Sequence, residues 1–276
     1  MEPSEELVQA ASAGNVPRLR ELITAGCPVD ARPHDQGPTA LVAALMGRRM
    51  EAVHHLVRAG ADVGTAKCED KPLHIYAYTV VRDKELFRTF LAAGARPNEV
   101  DDEGYPCLYH TLNANDYDSS SLLVSRGADA NATAAGQTLL SHFVRRAKTV
   151  EFLLGKGADP NVRNPDNHLT PMMVLVGSGS DVDPDIVEAL LRAKADIGAT
   201  TRREEKDVDA LDLAKQTLSD ALRAAKETTN SARMLEAFDE QARASIGEVE
   251  AGVANLRKIV RLLKKNHPQF LRRLFG

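Results

Sequence analysis

The 276-residue chain contains no tryptophan, and only 4 % of its residues are aromatic. Because strands of a β-sandwich core are rich in aromatic and β-branched residues, this scarcity argues against an all-β fold. Hydrophobic residues nevertheless make up 43 % of the chain, which is enough to bury a core. Many small helices packed through Ala, Leu and Val fit this composition best.

Cysteine and long apolar runs are also scarce. The three cysteines are odd in number and form no C-x-x-C pair, so they indicate neither a disulfide framework nor a zinc site. No apolar run approaches the length of a membrane span, and the first residues include Glu2, Glu5 and Glu6 where a secretory signal would be basic. We therefore expect a cytoplasmic protein without a transmembrane segment.

Short catalytic signatures are missing as well. The chain has no H-E-x-x-H, G-x-S-x-G, G-x-x-x-x-G-K-[ST] or G-x-G-x-x-G motif. Asp181, Asp183 and Asp185 alternate like the first ligands of a calcium loop, but Ile186 and Arg192 stand where that loop requires Gly and Glu. We predict a protein that is not an enzyme and that binds no cofactor or metal.

The two signs of charge are segregated along the chain. No Asp or Glu follows Glu250, so residues 251–276 carry a formal charge of +7, and the total of −4 leaves −11 for residues 1–250. Nucleic-acid phosphates would meet like charge on this acidic part, so we expect no nucleic-acid partner. A protein partner with a basic surface suits it better.

What the chain does contain is a recurring Gly-Ala-Asp, or a close variant, behind an apolar pair. The successive steps are 34, 34, 33, 30 and 37 residues, a period typical of stacked repeats. The six occurrences are Gly26-Cys27-Pro28, Gly60-Ala61-Asp62, Gly94-Ala95-Arg96, Gly127-Ala128-Asp129, Gly157-Ala158-Asp159 and Lys194-Ala195-Asp196.

The second unit predicts the local structure of each repeat. Thr39-Ala40-Leu41 opens a short helix that turns at Met46-Gly47. Met50, Val53, Leu56 and Val57 then form one apolar stripe of a second helix. Gly60 follows where a helix C-terminus needs a left-handed residue. A unit of helix, turn, helix and loop cannot bury its apolar faces alone, so its stability must come from neighbouring units.

These units resemble ankyrin repeats, whose pattern opens with Thr-Pro-Leu-His and closes with Gly-Ala-Asp and Asn. The opening stands as Thr39-Ala40-Leu41, Lys71-Pro72-Leu73-His74, Pro106-Cys107-Leu108-Tyr109, Thr138-Leu139-Leu140-Ser141 and Thr170-Pro171-Met172-Met173, and the closing Asn as Asn98, Asn131 and Asn161. The resemblance covers about residues 4–225 and implies an all-α solenoid of six to seven helix-turn-helix units. It also implies protein–protein recognition through a concave face of loops and first helices.

Two neighbouring units depart from the regular length. The unit ending at Gly157 is short, and the following one carries an insertion from Gly177 to Pro184, with Asp183-Pro184 predicted to start a helix. We expect the regular curvature to be disturbed there, which would suit a partner. The alternative is that the length differences are neutral variation in loops that tolerate insertions and deletions.

All five tyrosines fall within 42 residues of two consecutive units. Tyrosine is enriched in protein interfaces. By resemblance Tyr78 and Tyr105 occupy groove-facing positions, whereas the register of Tyr76, Tyr109 and Tyr117 favours packing. An acidic loop adjoins Tyr105. The residues we predict at the partner surface are Tyr78, Tyr105, Tyr109, Asp101, Asp102, Glu103, Arg163 and Asn164.

The repeat pattern stops near residue 226, after a last unit that begins at Ala210, and residues 227–231 suggest a break. We therefore predict an ankyrin-repeat domain at 1–226 and an amphipathic helical cap at 227–276. Its predicted parts are a helix with Met234, Leu235, Phe238 and Ala242, a helix with a stripe of Ile246, Val249, Val253, Leu256, Val260 and Leu263, and a basic tail with Phe270, Leu271, Leu274 and Phe275.

Three interpretations of this cap stay open. In the first, the cap covers the open end of the repeats within the same molecule. In the second, it is a helix that binds a partner or associates with a second copy of the chain. In the third, it contacts a membrane or nucleic acid. We prefer the first, with membrane contact by the tail as a weaker alternative. Together these observations predict a non-enzymatic protein-binding module, more specifically a dedicated inhibitor or neutralising (immunity-type) protein. The alternative is an adaptor or effector whose C-terminal helices contact a membrane or carry the activity.

Overall fold

A computed structural model of the chain shows short helices joined by turns and two-stranded hairpins. It describes residues 2–34, 37–179, 182–203, 206–235 and 240–266. Asp181 and the predicted tail with Phe270, Leu271, Leu274 and Phe275 lie outside these residues. The chain divides into two compact units, Met1–Asp129 and Ala130–Gly276, and each is described by itself.

The first unit contains four successive helix pairs. One antiparallel hairpin, β1 (Lys67–Cys68) with β2 (Lys71–Pro72), precedes the third pair. The helices are α1 (Pro3–Ala13), α2 (Val16–Thr24), α3 (Ala40–Met46), α4 (Met50–Arg58), α5 (Leu73–Tyr76), α6 (Lys84–Ala92), α7 (Cys107–Asn113) and α8 (Tyr117–Ser125).

The second pair confirms the predicted unit. Thr39 caps α3 by accepting a hydrogen bond from the Val42 backbone N–H at 3.4 Å. Of the predicted stripe on α4, Val53 and Leu56 are fully buried and Met50 and Val57 are half-buried. The faces of α1 and α2 pack on α3 and α4, so the first two pairs bury their apolar stripes against each other.

The third pair contains a π-helical segment, Ala77–Val81, directly after α5. From the first residue of one helix to the first of the next, eleven steps separate Leu73 of α5 from Lys84 of α6, against ten between Ala40 of α3 and Met50 of α4. A π turn accommodates one extra residue in a helix, so the segment absorbs this insertion. Val80 is left 38 % exposed at its surface.

The second unit begins with the irregular repeats. The short repeat has a four-residue first helix, and the long one has a loop after Gly177, with Asp183 capping the next helix as predicted. Its elements are β3 (Thr133–Ala134), β4 (Gln137–Thr138), α9 (Leu139–His142), α10 (Ala147–Gly155), α11 (Pro171–Gly177), α12 (Pro184–Arg192), β5 (Thr200–Arg203), β6 (Lys206–Asp209), α13 (Ala210–Leu235) and α14 (Glu240–Asn266). Each strand pair is antiparallel.

The C-terminal helices differ in part from expectation. Helix α13 begins at Ala210 as predicted but continues through 227–231, so the predicted break there is wrong. That segment contains neither Gly nor Pro, and polarity alone does not end a helix supported by tertiary contacts. Phe238 of the predicted first cap helix lies outside the described residues.

Helix α14 packs against α13 and α12. Its predicted stripe is confirmed at Val253, Leu256, Val260 and Leu263, all of which are buried. The side chains of Ile246 and Val249 lie outside the described set. Lys258 Nζ lies 3.6 Å from Asp185 Oδ1 and 3.7 Å from Glu188 Oε1 on α12. The basic helix therefore meets an acidic turn of its own unit.

Among the described helices, none has the length and apolarity to cross a membrane. Within the same residues no group of three His, Cys, Asp or Glu side chains could hold a metal ion. Cys27, Cys68 and Cys107 are free thiols.

Candidate functional site

The loop between α6 and α7 carries most of the residues predicted at the partner surface. An isolated β-bridge joins Val100 to Pro106, and the Asp101 N–H donates to the Tyr105 carbonyl at 3.0 Å. Gly104 closes the turn at φ 81°, a left-handed conformation that favours glycine. The loop is thus a tight, internally bonded turn in the first unit.

Asp101 holds this loop from the inside. Its side chain is 3 % exposed, and Oδ1 accepts hydrogen bonds from the backbone N–H of Glu103 at 3.1 Å and of Tyr105 at 2.8 Å. His110 Nε2 on α7 lies 2.7 Å from Asp101 Oδ2. A buried carboxylate with this many partners fixes the loop conformation and is not available to a partner protein.

Asp102 and Glu103 lie exposed at the tip of the loop. Lys71, on β2 of the preceding repeat, forms an ion pair with Asp102. This pair holds the pKa of the Asp102 carboxyl below its usual range and raises the pKa of the Lys71 ammonium. Lys71 therefore links the loop to the neighbouring hairpin.

Tyr105 and Tyr109 form a stacked aromatic pair beside this tip. Their ring centroids are 4.4 Å apart with an interplanar angle of 29°, and both residues are half-buried. His110 meets both rings edge-on, at 6.1 and 5.5 Å. The position of Tyr109 in the repeat pattern predicted a side chain packed within the fold. The structure instead leaves it partly exposed, because Tyr109 and Tyr105 pack on each other at the surface.

Tyr78 uses its hydroxyl group inside the unit. The hydroxyl donates to Asp116 Oδ2 at 3.2 Å, and the ring lies 5.4 Å from that of Phe87. Burial, together with the Asp116 charge, raises the pKa of Tyr78. Lys84 Nζ also lies 2.7 Å from Asp116 Oδ2, so Tyr78 belongs to a half-buried network and presents only part of its ring.

Of the other tyrosines, Tyr76 is buried and Tyr117 is half-buried at the start of α8. Tyr76 therefore packs within the fold, whereas Tyr117 has the same partial exposure as Tyr105 and Tyr109.

Arg163 and Asn164 lie in the second unit, in the loop before α11. Arg163 is exposed, and its Nη1 donates to the His168 carbonyl at 2.7 Å across that loop. Asn164 is fully buried, and its Oδ1 accepts from the Thr138 backbone N–H at 3.0 Å. A side chain in that position stabilises the fold and cannot touch a partner without rearrangement.

Sequence reasoning missed His110 and Lys71. Nothing in the sequence marks His110 as the partner of Asp101, because the pairing depends on how the loop folds back on α7. Lys71 could have been found: it precedes Asp102 by 31 residues, close to one repeat length. Opposite charges at that spacing indicate an ion pair between adjacent repeats.

Residues 73–164 match the family model described as ankyrin repeats (3 copies). The chain is thus similar to ankyrin-repeat proteins. The matched ankyrin repeats include the loop 101–105, the tyrosine pair and Asn164. No curated protein sequence matches the chain.

Solved ankyrin structures share the fold. An ankyrin repeat domain from Acinetobacter baumannii is 25 % identical, with a TM-score of 0.54 over 68 % of this chain and 97 % of its own. The ankyrin repeat domain of Bcl-3, described as a unique member of the IkappaB protein family, is 23 % identical, with a TM-score of 0.53 over 75 % of this chain and 92 % of its own.

The predicted all-α ankyrin fold is therefore confirmed. Ankyrin repeats generally serve as protein–protein interaction modules and are typically non-enzymatic.

Proposed function

We propose that this ankyrin protein binds another protein through an aromatic–acidic patch formed by Asp102, Glu103, Tyr105 and Tyr109. The observation that carries the proposal is the half-exposed stack of Tyr105 on Tyr109 beside two exposed carboxylates. Tyrosine supplies contact area and a hydrogen-bonding hydroxyl at small entropic cost, and it is enriched among residues that dominate binding energy.

The patch is held in place before any partner arrives. Asp101 and His110 fix the loop from below, and Lys71 ties Asp102 to the preceding hairpin. Groups that are already ordered lose little conformational entropy on binding. A pre-organised loop of this kind supports tight recognition.

The charge of the patch indicates the nature of the partner. Glu69 and Asp70 at the β1–β2 turn are exposed, like Asp102 and Glu103 at the next tip. Acidic side chains on neighbouring loops attract a basic surface and repel nucleic-acid phosphates. We therefore propose a partner protein with a basic surface, and no nucleic acid. Arg163 stays an additional proposed contact, whereas Asp101 and Asn164 are left out because they are buried.

The more specific proposal is a dedicated inhibitor or neutralising (immunity-type) protein of the cytoplasm. Inhibition then needs only steric occupation of the partner's surface. Cys107, the cysteine next to this loop, is disfavoured as a reactive thiol. Its side chain is fully buried, and burial raises the pKa of the thiol.

The domain organisation we propose is an ankyrin-repeat domain at 1–226 and a helical cap at 227–276, with the boundary inside the continuous helix α13. The burial of Val253, Leu256 and Val260 against the second unit supports a cap that acts within the molecule. The alternative, an α14 that binds a membrane, would require these same side chains to leave their present packing.

The test is affinity capture from the lysate of the source cell with the wild-type protein and with a Tyr105→Ser/Tyr109→Ser variant. We expect the wild type to retain a protein with a basic surface and the variant to lose it. The purified partner's activity should then fall as the wild-type protein is added.

The matched control is Tyr117→Ser, which also removes a half-buried tyrosine of the first unit but leaves the patch intact. Circular dichroism and thermal unfolding verify that all variants fold. A partner retained equally by the double variant and by the control would contradict the proposed site. A partner whose activity is unchanged on binding would contradict the inhibitor role.

A further inference from the structure

We infer that the aromatic–acidic patch binds the guanidinium group of an arginine side chain on the partner. This inference rests on the proposed function and names the chemical group that the same patch recognises. It follows from an aromatic platform and an available carboxylate that lie a few residues apart, on the loop 101–105 and on the start of α7 that follows it.

The platform is the Tyr105–Tyr109 stack. The electron-rich face of a tyrosine ring attracts a cation within about 6 Å of the ring centroid. The inner faces of the two stacked rings cover each other, and both residues are half-exposed, so a planar cation would lie on an outer face of the pair. His110 packs edge-on against both rings of the pair.

The carboxylate is that of Glu103. Within the described part of the chain, its side chain has no hydrogen-bond or ion-pair partner, although its charge acts on Lys71. Asp101 is occupied by the loop and by His110, and Asp102 is engaged by Lys71. Glu103 is therefore the acidic group of the loop that is ready to receive a cation.

Arginine fits this arrangement better than lysine. Its guanidinium is planar, stacks on aromatic rings and donates two parallel hydrogen bonds to one carboxylate. Lysine offers a compact, strongly hydrated charge that gains less from a flat ring surface. An anionic ligand is disfavoured, because three Asp or Glu residues stand within the five-residue loop.

The test uses N-acetyl-arginine amide, N-acetyl-lysine amide and N-acetyl-citrulline amide as probes of the full-length protein. Chemical shifts of backbone amides and tyrosine rings are followed by NMR while each probe is titrated into the tens of millimolar. We expect arginine amide to shift signals of residues 101–110 saturably. We expect lysine amide to bind several-fold more weakly and uncharged citrulline amide to leave the signals unchanged.

Two variants locate the effect. Tyr105→Ser and Glu103→Gln should each weaken arginine binding roughly tenfold. Tyr117→Ser, which lies outside the patch, should leave it unchanged. Equal shifts with citrulline amide, or shifts that survive Tyr105→Ser, would overturn the inference. So would concentration-dependent dimerisation lost in Tyr105→Ser, which would make a second copy of this chain the occupant.

The inference and the proposed function fail separately. If Tyr105→Ser/Tyr109→Ser loses the captured partner but arginine amide never shifts the loop, the proposed function stands and the arginine assignment falls. If arginine amide binds the loop while the double variant still retains the partner, the guanidinium site stands and the proposed function falls.

Discussion

Lys194 has the backbone conformation that glycine has in the other repeats. Its φ is 65°, whereas the equivalent Gly26, Gly60, Gly94, Gly127 and Gly157 have φ between 88° and 100°. A residue with a Cβ is strained in this left-handed region by about 1–2 kcal/mol. At the end of α12 the chain therefore carries strain that its other repeats avoid at the equivalent position.

We predict that Lys194→Gly stabilises the protein by about 1 kcal/mol, because relief of strain exceeds the entropy that glycine adds to the unfolded chain. Urea unfolding of the two proteins measures the difference. The reverse change, Gly157→Ala, should destabilise by a similar amount, since a Cβ there meets no atom within 4 Å and only the backbone strain remains. An unchanged midpoint for Lys194→Gly would contradict this account.

His74 gives the protein a pH dependence. The residue is 1 % exposed, and its Nε2 has no hydrogen-bond partner in the described structure. Burial lowers its pKa from 6.5 to about 4, because the charged imidazolium would lose its hydration.

The unfolded chain therefore takes up a proton at His74 before the folded protein does. This contribution to stability is fully present above pH 6.5 and is lost as the pH falls toward 4, by up to about 3 kcal/mol. Urea unfolding at several pH values should show a shallower loss for His74→Gln than for the wild type. Parallel curves for the two proteins would contradict the assignment.

At the scale of elements, adjacent loops are joined by side-chain to backbone hydrogen bonds that repeat along each unit. Asn98 Oδ1 accepts from the Asp129 N–H at 2.8 Å, and Asn131 and Asn161 accept in the same way from Asp159 and Asp196. Asp30 does so for Asp62. At the equivalent position in the second repeat, Gly64 has no side chain to offer, so the series is interrupted there.

We predict that Asn98→Ala destabilises the first unit by about 1–2 kcal/mol, because it removes two hydrogen bonds, including one from Nδ2 to the Gly127 carbonyl at 2.9 Å. Thermal and urea unfolding measure the change. Gln9→Ala, an exposed polar-to-Ala change on α1, is the control and should have little effect. Equal stability of the two variants would show that the loop bonds contribute nothing.

At the scale of the whole molecule, burial rather than charge attaches the cap. Leu256 on α14 is fully buried, whereas the ion pairs of Lys258 are long and exposed. Large apolar side chains contribute several kcal/mol when buried, and exposed ion pairs contribute little.

Accordingly, we expect Leu256→Ala to destabilise the second unit by about 2–4 kcal/mol and Lys258→Ala to change stability by about 0.5 kcal/mol or less. Hydrogen exchange resolved by peptide should show faster exchange in α12, α13 and α14 for Leu256→Ala alone. If Lys258→Ala had the larger effect, the cap would be held by charge, which a steep dependence on salt would confirm.

Much of the fold could be predicted because the residues within each repeat specify the helices and turns of that repeat. Thr39, Gly60 and the Val53–Leu56 stripe are signals within one unit, and the period shows that the unit stacks. The course of α13 through 227–231 could not be predicted in this way, because no local breaker is present and contacts with α14 support the helix.

The sequence by itself determined that this chain is a stack of ankyrin repeats, because helix caps, left-handed glycines and apolar stripes act over a few residues. Only the tertiary structure decided which candidate side chains face a partner. Asp101 and Asp102 are neighbours in sequence, yet one is buried beneath the loop and the other lies at its tip. That difference arises from the loop folding back onto His110, and neither residue type nor spacing encodes it.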